Sequence, residues 1–405
     1  MALMPVDDAL ALILADLSPV SLESVQIEEA HGRVLAEDLV ARRSQPAADM
    51  SAMDGYAVCA ADIATLPARL RVAGESAAGR PWDGRLEAGA CARIFTGALL
   101  PAGADTVVIQ ENTARDGDCV TILEPTAPGR NVRRAGFDFQ ALRPILSAGQ
   151  RLNGRDIMLA AAANHASVPV RRRPRVGIAQ TGDELVRPGV QHPGLSDVVV
   201  SNVYGLAALA RACGAEVEDL GLVGDSMDAT RAMIRRAADL GIDVLVTSGG
   251  ASVGEHDLIA PALRAEGVDL SVHKIALRPG KPVMFGAKGN MRVLGLPGNP
   301  VSAYVCALLF LTPLLNALQG ALHLHLATSP ARLGVDVKAN DGRRDYMRAT
   351  TRLDPDGAPV VTPLPTQDSA MLSALAAADC LLIRNANAPA AAAGSPCEII
   401  VLPRF

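Results

Sequence analysis

Aromatic residues are scarce in this chain of 405 residues: Phe, Trp and Tyr make up 3%, and Trp82 is the single tryptophan. A platform that stacks single-stranded bases needs several such rings, which argues against nucleic acid as the partner. The formal net charge of −5 supplies no basic surplus for a polyanion either, although local arginine clusters can hold a small anion. The seven cysteines (Cys59, Cys91, Cys119, Cys213, Cys306, Cys380, Cys397) form no CxxC pair. Dispersed and odd in number, they read as reduced thiols of a cytoplasmic protein, not as a disulfide frame or zinc site. Asp7 and Asp8 stand where a secretory leader would be basic. The most apolar segment, Val301–Leu318, is broken by Pro313 and Asn316 and falls short of the ~20 residues of a membrane span. It reads as a buried helix, with no membrane contact.

What is present is apolar patterning, at 49% hydrophobic residues, in a chain too long for one core. Residues 1–50 and 140–170 read as one discontinuous helical and extended N-terminal domain, in which Leu10, Leu12, Ile13 and Leu17 approximate a helical stripe. Residues 51–139 carry short apolar runs between Gly and Pro, such as Ala92–Phe95 and Thr106–Ile109, and form a β-rich insert domain. Residues 171–325 alternate strand and helix, predicting a central three-layer α/β domain with a mainly parallel sheet. Its strand candidates are Arg175–Gln180, Glu216–Val223, Asp243–Thr247 and Met291–Leu296, and Asn299-Pro300 opens its last helix as N-cap and N1. Residues 326–405 hold about five short strands, a small C-terminal β-barrel or sandwich.

Polar turns follow these strands directly: Thr181-Gly-Asp-Glu184, Asp225, Ser248-Gly-Gly-Ala-Ser252 and Gly295-Leu-Pro-Gly-Asn-Pro300. Open α/β sheets bind ligands beyond the carboxyl ends of their strands, and glycine lets backbone N–H groups approach an anion. Ser248, Gly249, Gly250, Ser252, Pro297, Gly298 and Asn299 are therefore candidate binding residues. Glu184, Asp225 and Asp257 could meet around Mg²⁺, which takes one or two carboxylates together with substrate phosphate. Taken singly, Asp225 reads as a turn or helix-capping residue, and His256 as a surface residue. Lys274, Arg278 and Lys281 could hold a phosphate, since Pro279-Gly280 and Pro282 stiffen the backbone around Lys281. A phosphorylated ligand with a metal ion suits this set.

Together these strings resemble the molybdopterin molybdenumtransferases, the MoeA type that also forms the E domain of gephyrin. The resemblance rests on Ser51-Ala-Met-Asp-Gly-Tyr-Ala57, Phe95-Thr-Gly97, Thr181–Leu185, Ser248–Gly254 with Asp257, Pro279–Pro282 and Gly295–Ser302. It implies insertion of molybdate into adenylyl-molybdopterin with release of AMP, in a homodimer whose cleft is shared by two subunits. By matching positions it implies Asp54, Thr96 and Asp138 from the insert domain, and Glu184, Asp225, Asp257, Lys274 and Lys281 from the α/β domain. Arg348 and Ser369 of the C-terminal domain match the molybdate-contacting Arg and Ser. Contacts with a molybdopterin adenylyltransferase and an apo-molybdoenzyme are also implied. The sequence does not separate which of Asp257 and Glu184 binds metal and which orients water. Four positions depart from the family pattern: Arg278 for lysine, Phe137 for an acid, Val200 for aspartate and Asp368 for glycine. The competing readings are a molybdopterin adenylyltransferase and a non-catalytic gephyrin-like scaffold.

Overall fold

The computed structural model describes residues 3–249 and 258–402. The chain forms two compact units: residues 1–23, 32–36 and 170–405, and residues 24–31 and 37–169.

The first unit opens with α1 (Val6–Leu14), whose buried face is Val6, Ala9 and Ile13. The sequence groups residues 1–50 together, but this face is apolar enough to bury in the α/β core beside Val305, Leu308 and Leu311. The α/β layer then runs β1 (Arg175–Thr181), α2 (Asn202–Ala212), β2 (Glu216–Val223), α3 (Met227–Asp239), β3 (Val244–Ser248), α4 (Ile259–Ala265), β4 (Asp269–Lys274), β5 (Pro282–Lys288) and β6 (Met291–Leu296). The strands order as β2-β1-β3-β6-β5-β4. The first four are parallel, as the helical crossovers require. β5 pairs antiparallel with both β6 and β4, which returns β4 to the direction of the others. The ends of β1, β3, β4 and β6 and the start of β5 therefore share one edge.

Residues Pro300–Leu318 form a continuous helical stretch through α5 (Pro300–Cys306), a π-helical turn at Ala307–Leu311 and α6 (Thr312–Leu318). Its length and apolar composition would suit a membrane span, but 78% of it is buried, where it fills the core against α1 and α2. The tail strands β7 (Thr328–Leu333), β8 (Arg344–Leu353), β9 (Pro359–Pro363), β10 (Cys380–Arg384) and β11 (Pro396–Val401) close as β8-β9-β7-β11-β10-β8, a five-stranded barrel. A two-residue strand, Leu277–Arg278, joins this barrel by pairing parallel with Arg344 and Asp345 of β8.

The second unit is built on a six-stranded sheet in the order Thr106–Ile109, Gly55–Val58, Ala90–Ile94, Ala68–Ser76, Cys119–Ile122, Thr113–Asp116. Tyr56, Val58, Leu70, Cys91, Val108 and Ile122 form its core. Leu39–Val40 pairs with Pro144–Leu146, so sequence-distant segments on either side of the insert meet here. The helix Gly154–Ala162 starts at a capping box in which Asn153 and Asp156 satisfy each other's backbone N–H groups. All seven cysteines are free thiols.

Candidate active site

The shared edge of the α/β sheet opens into a cavity of about 850 Å³. Glu184, Ser248, Gly249, Arg278, Lys281, Pro297, Gly298, Asn299 and Ser369 line it, so these predicted site residues are brought together. Gly250, Ser252 and Asp257 lie outside the described residues.

Ser248 is fully buried, and its hydroxyl is committed to the scaffold. It accepts from Asn202 Nδ2 at 2.8 Å and donates to the Pro297 carbonyl at 3.2 Å. Asn202 Nδ2 also donates to the Gly298 carbonyl at 2.8 Å, so the two fix the 297–298 turn instead of facing a ligand. Asn299 occupies the N-cap position of α5 with Pro300 at N1, but its side chain does not cap. Its Nδ2 donates to Ser369 Oγ at 2.9 Å, and the Ser369 carbonyl accepts from Val301 N at 3.1 Å. The helix is thus capped by a loop from the barrel, which local propensity could not show.

Lysine and arginine play different parts in the lining. Arg278 places its two terminal nitrogens on separate carboxylates, Asp341 and Asp345 (3.2 Å to the latter). Arg343, which the sequence offers only as one of three neighbouring arginines with Arg344 and Arg348, also lines the cavity and donates to Asp341 at 2.7 Å. That contact holds the Asp341 carboxyl down at about 2. Two guanidiniums are thereby oriented by one exposed acid, a task for a planar fork that explains arginine at 278. Among the described residues Lys281 has no carboxylate partner, leaving its charge uncommitted at the cavity wall. Lys274, at the end of β4, pairs in register with Pro282 one strand away, and its backbone carbonyl accepts from Met4 N at 2.9 Å. Gly280, between them in sequence, has φ +109° and leaves no space for a side chain, since a Cβ would fall 2.4 Å from Cys306 Sγ.

Arg348 is 1% exposed and does not line the cavity. It lies behind the 364–369 loop, where its Nη2 donates to the Asp368 carbonyl at 3.0 Å. Gln367 fastens the same loop by accepting from Arg348 N at 2.9 Å and donating to the Arg348 carbonyl at 2.9 Å. Burial lowers the pKa of Arg348, and burial raises that of nearby Asp345. The neighbouring arginines do not form one cluster, because Arg344 turns away to a bidentate pair with Asp7 of α1 at 2.8 and 2.9 Å. Asp368, exposed at the cavity, folds its carboxylate back onto Ala370 N at 2.8 Å.

Glu184 and Asp225 also share a smaller adjoining cavity of about 230 Å³ with Gly182, Thr230 and Gly249. Asp225 and Asp183 bridge the two turns reciprocally: Asp225 N donates to Asp183 Oδ1 at 3.0 Å, and Asp183 N to Asp225 Oδ2 at 3.4 Å. Capping of α3 falls to Ser226, whose hydroxyl accepts from Ala229 N. A Cβ on Gly182 would lie 2.5 Å from Glu184 Oε2, so glycine makes the cradle in which that carboxylate rests. Among the described residues no cluster of three metal-ligating side chains occurs. Glu184 and Asp225, two carboxylates lining one small cavity, would suit a divalent cation such as Mg²⁺, which takes one or two carboxylates beside oxygens of water and phosphate.

Asp54, Thr96 and Asp138 belong to the second unit. Asp54 Oδ1 accepts from Thr96 N at 2.7 Å and from Thr96 Oγ1 at 2.8 Å. These bonds, first the backbone one, hold the exposed Asp54 carboxyl below its usual range. Arg93 supports the turn: it lies between the rings of Tyr56 and Phe95, at 5.3 and 4.7 Å, and donates to the Gly55 carbonyl at 3.1 Å. Asp138 is exposed, and its N donates to the Gln45 carbonyl at 2.9 Å.

Three family models match the chain. The MoeA N-terminal region (domain I and II) covers residues 4–164, a probable molybdopterin binding domain residues 177–317, and the MoeA C-terminal region (domain IV) residues 330–402. The molybdopterin molybdenumtransferase of Haemophilus influenzae is 34% identical over 387 residues, 94% of each chain. That of Synechococcus elongatus is 34% identical, covering 96% of this chain and 98% of the relative. The crystal structure of the molybdopterin biosynthesis MoeA protein from Pyrococcus horikoshii superposes with a TM-score of 0.86 at 28% identity, over 99% of this chain and 100% of that one. Matched from end to end, in sequence and in fold, the chain belongs to the MoeA-type molybdopterin molybdenumtransferase family, enzymes of molybdenum cofactor biosynthesis.

Proposed function

We propose that this chain inserts molybdate into adenylyl-molybdopterin and releases AMP, acting as a cytoplasmic homodimer that requires Mg²⁺. The observation that carries the reading is the cavity at the carboxyl edge of the sheet, which the uncommitted Lys281 and the oriented Arg278 and Arg343 line together with Glu184. In hydrolysis of the adenylate, a water oxygen bonds to phosphorus, the bridging P–O bond breaks, and the water's proton passes to a carboxylate. Lys281, with Lys274 one strand away, holds the phosphate oxygens as charge develops on the leaving group. Glu184 or Asp257 orients the water, and Glu184, Asp225 and Asp257 are the residues that would hold Mg²⁺. When bound, the ion offsets charge on the phosphate oxygens. On the molybdate side Ser369 offers a hydroxyl, and Arg348 holds the loop that carries it. Asp54, Thr96 and Asp138 would complete the cleft of a partner subunit.

Purified protein mixed with adenylyl-molybdopterin, Mg²⁺ and molybdate should release AMP and activate an apo-molybdoenzyme. Binding of the ligand without AMP release would refute the reaction. Mixing inactive Asp54→Ala chains with inactive Asp257→Ala chains should restore part of the activity. A monomer by light scattering at micromolar concentration would overturn the shared cleft.

A further inference from the structure

Residues 198–202 bond to three of the polar turns at the carboxyl edge, and the reaction proposed above gives them no part. Leu185–Val186 pairs parallel with Val198–Val199, and Val198 N donates to the Glu184 carbonyl at 2.8 Å. Val200, where the family pattern has aspartate, is 2% exposed and anchors the segment in the α/β core. Asn202 is the first residue of α2 and is 7% exposed. Helix starts commonly use such a side chain as a cap, but Ser201 holds the N-cap position here and makes no side-chain bond. Both donors of Asn202 Nδ2 leave the helix, one for Ser248 Oγ and one for the Gly298 carbonyl, each at 2.8 Å. Ser248 gives its own proton to the Pro297 carbonyl at 3.2 Å, so one amide closes a ring of bonds between the turns after β3 and β6. No side chain separates these backbones. A Cβ on Gly298 would lie 3.6 Å from Gly249 Cα, and one on Gly249 2.9 Å from the Thr181 carbonyl oxygen.

We infer that Asn202 is a positioning residue, an amide that clamps the 248–249 and 297–298 turns together before the ligand arrives. It does not line the cavity, so it acts through the turns that do. Glycine turns have much conformational freedom to lose, and a ligand that orders them itself binds more weakly. The clamp removes that freedom in advance. The inference rests on the cavity holding adenylyl-molybdopterin.

Asn202→Ala removes both donors, and Asn202→Asp keeps the shape while turning them into acceptors. Both replacements suit the first turn of a helix. Two readouts are taken on the full-length protein: amide hydrogen exchange without ligand, and equilibrium binding of adenylyl-molybdopterin. Gly249 N, which donates to the Leu296 carbonyl at 3.3 Å, should exchange at least ~10-fold faster in both variants. That acceleration should exceed the one at Val246 within β3, which reports opening of the sheet itself. Affinity for adenylyl-molybdopterin should fall about 3- to 10-fold, the value of one neutral hydrogen bond. Wild-type exchange at Gly249 in the variants, or unchanged affinity, would overturn the assignment. Equal acceleration at Gly249 and Val246 with a lowered melting temperature would give Asn202 to the fold alone and overturn it as well. A wild type that does not bind adenylyl-molybdopterin would sink the ligand reading instead, and the exchange rates would then decide whether Asn202 holds the turns.

Discussion

Replacing Gly280 by alanine should damage the first unit through two separable penalties. The backbone there has φ +109°, a conformation that L side chains rarely adopt, and holding one in it costs about 1–3 kcal/mol. The new Cβ would also stand 2.4 Å from Cys306 Sγ, which is buried at the end of α5. Forcing a methyl group into filled space costs about another 1–3 kcal/mol. Gly280→Ala should therefore lose about 2–6 kcal/mol. Cys306→Ala alone should lose only about 1 kcal/mol of buried sulfur contact. In the double variant the overlap disappears and the backbone strain stays, so the two changes should be coupled by about 1–3 kcal/mol. Native-state hydrogen exchange at the β3 and β6 amides reads the loss, which should appear as at least ~30-fold faster exchange in Gly280→Ala. Trp82 lies in the second unit, so its fluorescence supplies an internal control that should not change. Equal protection in Gly280→Ala, or strict additivity in the double variant, would refute the argument.

Asp257→Asn should slow AMP release at least ~100-fold with the fold intact, since a charge near the reacting phosphate is worth several kcal/mol; AMP release by rapid-quench assay checks it. Arg348→Ala should lower stability by about 3 kcal/mol, as a buried cation facing Asp345 and its bond to the Asp368 carbonyl are lost together. It should also raise the molybdate concentration for half-maximal insertion, with little change in adenylyl-molybdopterin affinity. Asp368→Gly should lower that molybdate concentration by removing a negative charge from the cavity rim, measured in the same assay. Thr96→Val should raise the Asp54 pKa toward 3.8, followed by carboxyl-carbon NMR. The sign follows from the depressed folded value: the ionised Asp54 stabilises its unit above 3.8, and that contribution is lost as pH falls through the folded pKa. Thr96→Val should therefore narrow this acid window from below.

Periodicity made the α/β layer legible, and the glycine-rich turns marked its carboxyl edge because they interrupt apolar runs so abruptly. The order β2-β1-β3-β6 needs only short strands joined by helices, which sequence spacing reveals. The antiparallel pair β4–β5 was less visible, since the two-residue strand between them belongs to the barrel. Contacts between residues far apart in the chain left no local signal. Asn299 reads as a helix cap from its neighbours, but Ser369 takes its amide and satisfies the helix instead. Arg343, Arg344 and Arg348 look equivalent in sequence, yet one faces the cavity, one pairs with α1 and one is buried.

The capping of α5 by Ser369 and the pairing of Leu277–Arg278 with β8 set an order of events during synthesis. A ribosome releases the α/β strands before the barrel strands. Until residue 369 has emerged, Val301 N and the Asn299 amide lack these partners, and Arg278 lacks Asp341 and Asp345. A nascent chain halted after α6 would thus carry a sheet with an unfinished binding edge. The start of α5 and the Arg278 guanidinium therefore gain these partners only once the barrel strands have been translated.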